Sequence, residues 1–320
     1  MACPRFINNL GFSNPFGSTS PKVNVLFDSS GQRKASNGMT ILRVTQDSPK
    51  SILDETLEVL GRGECGSART APDPLLDWVY AGVSENTCGP LKAPPSAERL
   101  AWFRWMAHYC GYFALARGGL YCLHDGNKIV SAAATGPPKT VSFGRMSGGE
   151  MGDNIREAGM IIGQDILANN MRMRALGAWQ DGIQASAGLS CTTNYLYLVM
   201  YATLPEAQGK GCGKALLQFL GEVADADGVA AFLETAGARN CGFYKTGGFE
   251  VVERSVCGGF THEGGGVGMK RMPVARGRGE DAQVHEASKE ASSGCSFAPK
   301  RPTGPLSQYC RHCNKHQSMH

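Results

Sequence analysis

A chain of 320 residues, 42% apolar and 19% charged, can bury a full core in one domain of about 200 to 250 residues. The 32 basic and 28 acidic residues, net +4, are interspersed and gather in no dense stripe, so composition makes no case for nucleic-acid binding. No stretch reaches the roughly 20 apolar residues that span a bilayer, and the twelve Cys lack a repeated spacing, which reads as reduced, intracellular thiols with no membrane insertion.

Residues 1–38 are Ser-rich and carry Arg5, Lys22, Arg33 and Lys34 against the single acid Asp28. That is the composition of a disordered leader, compatible with an organelle transit peptide. A cytoplasmic location is expected, with a plastid or mitochondrion as the alternative. The folded domain is expected over 39–273, opening with the β-prone run Thr40–Val44. A helix follows, capped by Ser48 with Pro49 at its first position; Ile52, Leu53, Leu57 and Leu60 share one side, and Gly61 reads as its end.

A second helix is predicted from about Ser96 to Ala116, where Leu100, Phe103, Met106, Tyr109, Cys110 and Phe113 recur at helical spacing. Such a stripe is a core face, and His108 within it reads as a core residue. Leu120–Leu123 and Lys128–Ala133 flank Asp125-Gly126 and predict a hairpin. Residues 139–190, Gly- and Met-rich with a helix between Ile155 and Gln184, form a divergent insert.

Tyr195–Tyr201 is rich in β-formers and its extension stops at Pro205. After a Gly-rich turn, Leu216, Leu217, Leu220, Val223 and Ala224 mark the buried face of a helix that Asp227-Gly228 stops. Val229–Leu233 is a strand, Asn240–Lys245 a short helix, and Phe249–Val256 and Val267–Met272 are further strands. Residues 274–320 read as a disordered polar tail. Cys310 and Cys313 with His316 and His320 offer sulfur and nitrogen, but they are crowded into that tail with no second Cys pair, so no metal site is expected.

The segment that carries chemistry is Gln208-Gly209-Lys210-Gly211-Cys212-Gly213-Lys214, between a strand and an amphipathic helix. Consecutive amides turned inward at a helix N-terminus bind phosphate or pyrophosphate, and Lys210 and Lys214 add positive charge. A Walker loop is excluded, because Ala215 stands where a magnesium-binding Ser or Thr is needed and Gln208 where the first Gly should be. A dinucleotide fingerprint is disfavoured by Lys214 in the last Gly position, although Glu234 lies about 20 residues on, as that motif asks.

A third pattern, Gln/Arg-x-x-Gly-x-Gly/Ala, is met by Gln208, Gly211 and Gly213. With Leu204–Ala207 before it, Phe232–Thr235 after the helix and Asn240-Cys241-Gly242-Phe243-Tyr244 through Gly248-Phe249, the chain resembles the GCN5-related N-acetyltransferases (GNAT). The resemblance is close from about Leu198 to Arg271 and loose from Met39 to Pro138. It implies an α/β (α+β) fold whose mixed, mostly antiparallel sheet is flanked by helices and splayed near the strand before Pro205.

It also implies acetyl-CoA as co-substrate and an amine acceptor. Pyrophosphate contacts would fall on the backbone of Gly209, Lys210, Gly211, Cys212, Gly213 and Lys214, with Gln208 at the head of the loop. Tyr201, Ala202 and Thr203 would pair with the pantetheine arm as an added strand, and Asn240 and Phe243 would line it. By the same resemblance a strand N–H near Tyr201 stabilises the oxyanion and Tyr244 protonates the leaving thiolate. The strand Val199-Met200-Tyr201 lacks the carboxylate that related sequences often carry, which leaves the general base open, with Glu234 the nearest acid. That lack motivates the alternative of an inactive coenzyme A-binding regulator; an NAD-binding fold is the remaining one. Acceptor, acyl length and oligomeric state do not follow from the sequence.

Overall fold

The computed structural model describes residues 26–28, 30–82, 91, 93–136, 166–189, 193–257, 260 and 265–274. Its sheet begins before the expected start at Met39. Strand β1, Gln32–Lys34, pairs antiparallel with β2, Thr40–Val44, in the register Arg33↔Ile41. Phe27 is edge-on to Phe219 at 5.4 Å, and Arg33 pairs with Glu222, so this end of the expected leader is tied to the core.

In chain order the remaining elements are α1 (Lys50–Cys65), α2 (Pro74–Ala81), α3 (Ala97–Ala116), β3 (Leu120–His124), β4 (Ile129–Gly136), α4 (Ile166–Ser186), β5 (Tyr195–Thr203), α5 (Cys212–Asp227), β6 (Ala230–Ala236), α6 (Ala238–Lys245), β7 (Glu250–Ser255) and β8 (Gly266–Arg271). The eight strands described run in the order β1-β2-β3-β4-β5-β6-β8-β7, and every pairing is antiparallel except β5 with β6. This is the mixed, mostly antiparallel α/β fold expected. Among the described residues no helix is long and apolar enough to cross a membrane.

Both faces of the central strands are buried, which explains their near-continuous apolar runs. On β3, Tyr121 meets Phe219 of α5 at 5.3 Å, while its neighbour Cys122 lies against Thr56 of α1. Leu57 and Leu60 of α1 are fully buried, each contributing about 1.5–3 kcal/mol by the apolar surface it removes from water.

Helix α1 does not end at Gly61. A Cβ there would stand 2.9 Å from the Arg104 Cα of α3, so Gly61 is a point of close approach between the two helices, and α1 runs one further turn to Cys65. Ser48 does not cap it either; its hydroxyl instead accepts the Thr45 N–H at 2.9 Å. Helix α2 begins at Asp73, whose carboxylate accepts the Leu76 N–H at 2.9 Å, with Pro74 at the first helical position. Helix α3 starts as expected at Ser96, which caps the Arg99 N–H at 3.1 Å. Part of the insert is helical as α4; residues 137–165, the tail from 275 and its Cys/His cluster lie outside the described residues.

Two irregularities in β5 open the sheet. Its register against β4 steps from Ala134↔Met200 to Thr135↔Leu198, which leaves Val199 as a bulge. Its parallel pairing with β6 covers only Tyr195–Tyr197, yet β5 continues to Thr203 and β6 to Ala236. The two strands therefore part beyond Tyr197, as expected for the strand before Pro205, and the released end of β5 borders a cleft.

Candidate functional site

The cleft has a volume of about 410 Å³ and is bounded by the end of α1, β5, the turn after it, the start of α5 and α6. At its outer end Gly209 and Gly211 hold φ of 76° and 78°, values that L side chains rarely adopt, and a Cβ on either would meet open space. Gly211 is the N-cap of α5, whose first intrahelical bond runs from the Ala215 N–H to the Gly211 carbonyl at 3.0 Å. The amides of Cys212, Gly213 and Lys214 precede that bond and have no acceptor within the helix. Lys214 and Arg239 line the same end, so dipole, amides and two cations converge on one spot.

Gln208 braces this turn. Its amide donates to the Thr203 carbonyl at 3.1 Å and its oxygen accepts Arg239 at 2.8 Å. The Tyr201 hydroxyl donates to the Gly213 carbonyl and fastens the helix start to β5. On the opposite wall Gly63 brings α1 against β5, since a Cβ there would lie 2.6 Å from that of Ala202. The cleft thus has a helix N-terminus with two cations on its lining and, along its side, the end of β5 that β6 has released. These features fit the pyrophosphate and arm of a coenzyme A thioester.

At the inner end Tyr201, Phe243 and Tyr244 pack as an aromatic cluster, with ring centroids 5.1 Å apart for Phe243 and Tyr244 and 6.3 Å for Tyr201 and Tyr244. Two carboxylates absent from the sequence expectations join them: Glu64, in the last turn of α1, and Asp73, the cap of α2. The intervening loop folds back so that the Asp73 N–H bonds the Glu64 carbonyl at 3.0 Å. Arg99 anchors it, donating to the Cys65 carbonyl at 3.1 Å and pairing with Asp77.

Burial, and next the charge of Asp73, push the Glu64 carboxyl well above the ordinary carboxylate range; the Tyr201 backbone N–H, hydrogen-bonded to it, opposes this. Burial, then the charges of Glu64 and Asp73, likewise push the Tyr244 phenol upward. Glu64 and Tyr244, both raised, line the same cleft, and perturbed titratable groups in a cleft mark a candidate site.

Glu234 lies elsewhere. It lines a second cavity of about 70 Å³ that shares Glu64, Asp73, Tyr201 and Tyr244 with the cleft, but it does not itself line the cleft. Its oxygens accept the Tyr197 hydroxyl at 2.7 Å and the Gln184 amide at 2.9 Å, and burial raises it to about 7 against those bonds.

Of the residues singled out from sequence, Tyr201, Ala202, Thr203, Gln208, Gly209, Gly211, Cys212, Gly213, Lys214, Asn240, Phe243 and Tyr244 line the cleft together. Lys210 is exposed and outside that lining. The Cys212 side chain is buried and its thiol raised by that burial, the behaviour of a small filler. Glu64, Asp73 and Arg239 were missed. Arg239 stands beside the quoted Asn240, and Asp73-Pro74 is a legible helix start; Glu64 carries no local signal.

Residues 174–251 match the family model described as an acetyltransferase (GNAT) domain. No curated protein matches the chain in sequence. Among solved structures, it is similar to a histone acetyltransferase HPA2 and related acetyltransferase from Corynebacterium glutamicum, 18% identical over 74% of this chain and 98% of that one, TM-score 0.41. It is also similar to arylalkylamine N-acetyltransferase 2 from Aedes aegypti, 12% identical over 73% of this chain and 98% of that one, TM-score 0.44. The match to the acetyltransferase (GNAT) domain thus spans residues 174–251, the part of the chain that holds β5, the turn after it, α5, β6 and α6.

Proposed function

We propose that the protein transfers an acetyl group from acetyl-CoA to an amine by direct attack. The observation that carries this reading is the cleft beside the released end of β5, lined by the helix-start residues Cys212, Gly213 and Lys214 with Arg239 and by Glu64 with Tyr244. Acetyl-CoA supplies the activated acyl group. The amides of residues 209–214, Lys214 and Arg239 hold its pyrophosphate, and Ala202, Thr203, Asn240 and Phe243 line its arm.

Glu64 takes the role that β5 leaves vacant. Its raised pKa makes it a stronger base toward an ammonium than an ordinary carboxylate. The amine nitrogen then forms its bond to the acyl carbon as the carbon–sulfur bond breaks. Tyr244 gives its proton to sulfur, the second proton shed by nitrogen restores the phenol, and the proton on Glu64 leaves to solvent. The sum is one amide, one thiol and one released proton. Glu64, a base supplied from α1, favours this reading over the inactive-regulator alternative.

The test is a thermal shift of the full chain with acetyl-CoA, beside a Lys214→Glu/Arg239→Glu variant; both residues are exposed. At a hundred times its dissociation constant a ligand stabilises by about 2.7 kcal/mol. Stabilisation of the wild type that is lost in the variant is expected. A folded wild type indifferent to acetyl-CoA sinks the reading.

A further inference from the structure

We propose that Gln208 is a positioning residue: it presets the Arg239 guanidinium on the cleft wall to meet the diphosphate of an acyl donor, and so selects diphosphate-bearing thioesters over their pantetheine fragments. This rests on the acetyl-transfer reading. The first reason is that the bond between the two residues closes what the sheet leaves open. Backbone pairing of β5 with β6 ends at Tyr197↔Phe232. Gln208 follows β5 and Arg239 lies in the first turn of α6, the element after β6, yet Gln208 Oε1 accepts Arg239 Nη2 at 2.8 Å and both residues line the cleft.

The second reason is that the surroundings of the Gln208 amide admit one orientation. Its nitrogen faces the Thr203 carbonyl at 3.1 Å, which can only accept, and its oxygen faces a guanidinium, which can only donate. Glutamate would bring no donor to the carbonyl, and lysine or arginine no acceptor to Arg239. The carbonyl is itself fixed. Thr203 is paired in register with Ser131 of β4, whose buried hydroxyl donates to the Ala202 carbonyl at 2.8 Å and, its hydrogen spent, accepts from the Thr203 hydroxyl at 2.9 Å. The next residue, Leu204, donates its N–H to the Val130 carbonyl at 3.0 Å. A chain of hydrogen bonds thus runs from the sheet interior to an exposed cation.

The third reason is that Arg239 keeps its charge for an anion. Among the described residues no carboxylate pairs with it, and the bond to Gln208 uses Nη2 alone, so the other N–H donors of the guanidinium remain for phosphate oxygens. An exposed arginine otherwise samples many rotamers. Holding it before the donor arrives removes that ordering cost from binding.

The experiment measures dissociation constants of the full chain for acetyl-CoA, S-acetyl-dephospho-CoA and S-acetylpantetheine by calorimetry, in wild type, Gln208→Met, Arg239→Ala and the double variant. Methionine approximates the length of glutamine and makes neither bond. Gln208→Met should weaken acetyl-CoA binding about threefold to tenfold, the effect of one hydrogen bond. The double variant should bind no worse than Arg239→Ala, because Gln208 acts through Arg239. The same loss is expected with the dephospho donor, which keeps the diphosphate and lacks the 3′-phosphate. None is expected with S-acetylpantetheine, whose binding a damaged fold would also weaken. In Gln208→Glu the carboxylate competes with the diphosphate for Arg239, so acetyl-CoA should bind more weakly still while S-acetylpantetheine binding is unchanged. Additive losses in the double variant, an equal loss for S-acetylpantetheine, or a loss absent with the dephospho donor overturns the inference. If acetyl-CoA binds wild type and Gln208→Met alike, the inference falls and the acetyl-transfer reading stands; if acetyl-CoA does not bind, both fall.

Discussion

The cleft and the smaller cavity meet at Tyr201 and Tyr244 and share β5 as a wall, yet they are opposite in charge and in construction. The cleft is made mainly of backbone: amides at a helix N-terminus, a released strand edge and glycines, with Lys214 and Arg239 at the rim. The cavity is made of side chains from α1, α2, α4 and β6, and its charges are carboxylates. Backbone recognition suits a co-substrate that is the same in every turnover.

The comparison breaks most readily at Glu64, the residue at the junction. Glu64→Gln should lower kcat by about 10² to 10⁴, the usual contribution of a positioned base, with acetyl-CoA stabilisation retained. In the wild type the base form of Glu64 is lost as pH falls through its raised pKa, so the acidic limb of kcat/KM should lie above the ordinary carboxylate value of 4.5; that limb should be absent in the variant. Activity and limb both retained would remove Glu64 from the mechanism. Tyr244→Phe should follow, with kcat down by about 10² and the thermal shift intact, because it removes the proton for sulfur and leaves the ring cluster.

A smaller effect is expected at the glycine that lets α1 continue. Gly61→Ala forces a Cβ to within 2.9 Å of the Arg104 backbone and should cost about 1–3 kcal/mol in urea unfolding, with a loss of kcat as Glu64 shifts.

The cavity side is tested through the pH dependence of stability. Glu234 has a folded-state pKa of about 7 against 4.5 unfolded. The folded state therefore holds a proton that the unfolded state has lost between those values, and its stability declines as pH rises through that window. The Tm of Glu234→Gln relative to wild type should rise from pH 5 to pH 8; an unchanged difference would mean that Glu234 is not buried as described.

Much of the cleft was legible because its parts are local. The turn Gln208–Lys214 needs glycine at positive φ and a helix immediately after it, both encoded within a few residues, and Asn240–Tyr244 lies on one short helix. The hairpin and the buried face of α5 follow from alternation and helical spacing in the same way. Gly61 was misread because a glycine that ends a helix and one that admits a second helix look alike in sequence; only α3, some 40 residues on, distinguishes them.

Sequence by itself determined the glycine-rich strand–turn–helix and the element types of the sheet, since glycine placement and apolar period act over one or two turns of chain. Tertiary structure decided the chemistry at the inner end. Glu64, Asp73 and Glu234 come from three separate segments, and only the Val199 bulge, the parting of β5 from β6 and the packing of α1 against α3 bring them to the two sides of Tyr244. A carboxylate's role depends on what surrounds it, and those surroundings are contacts between residues far apart in the chain.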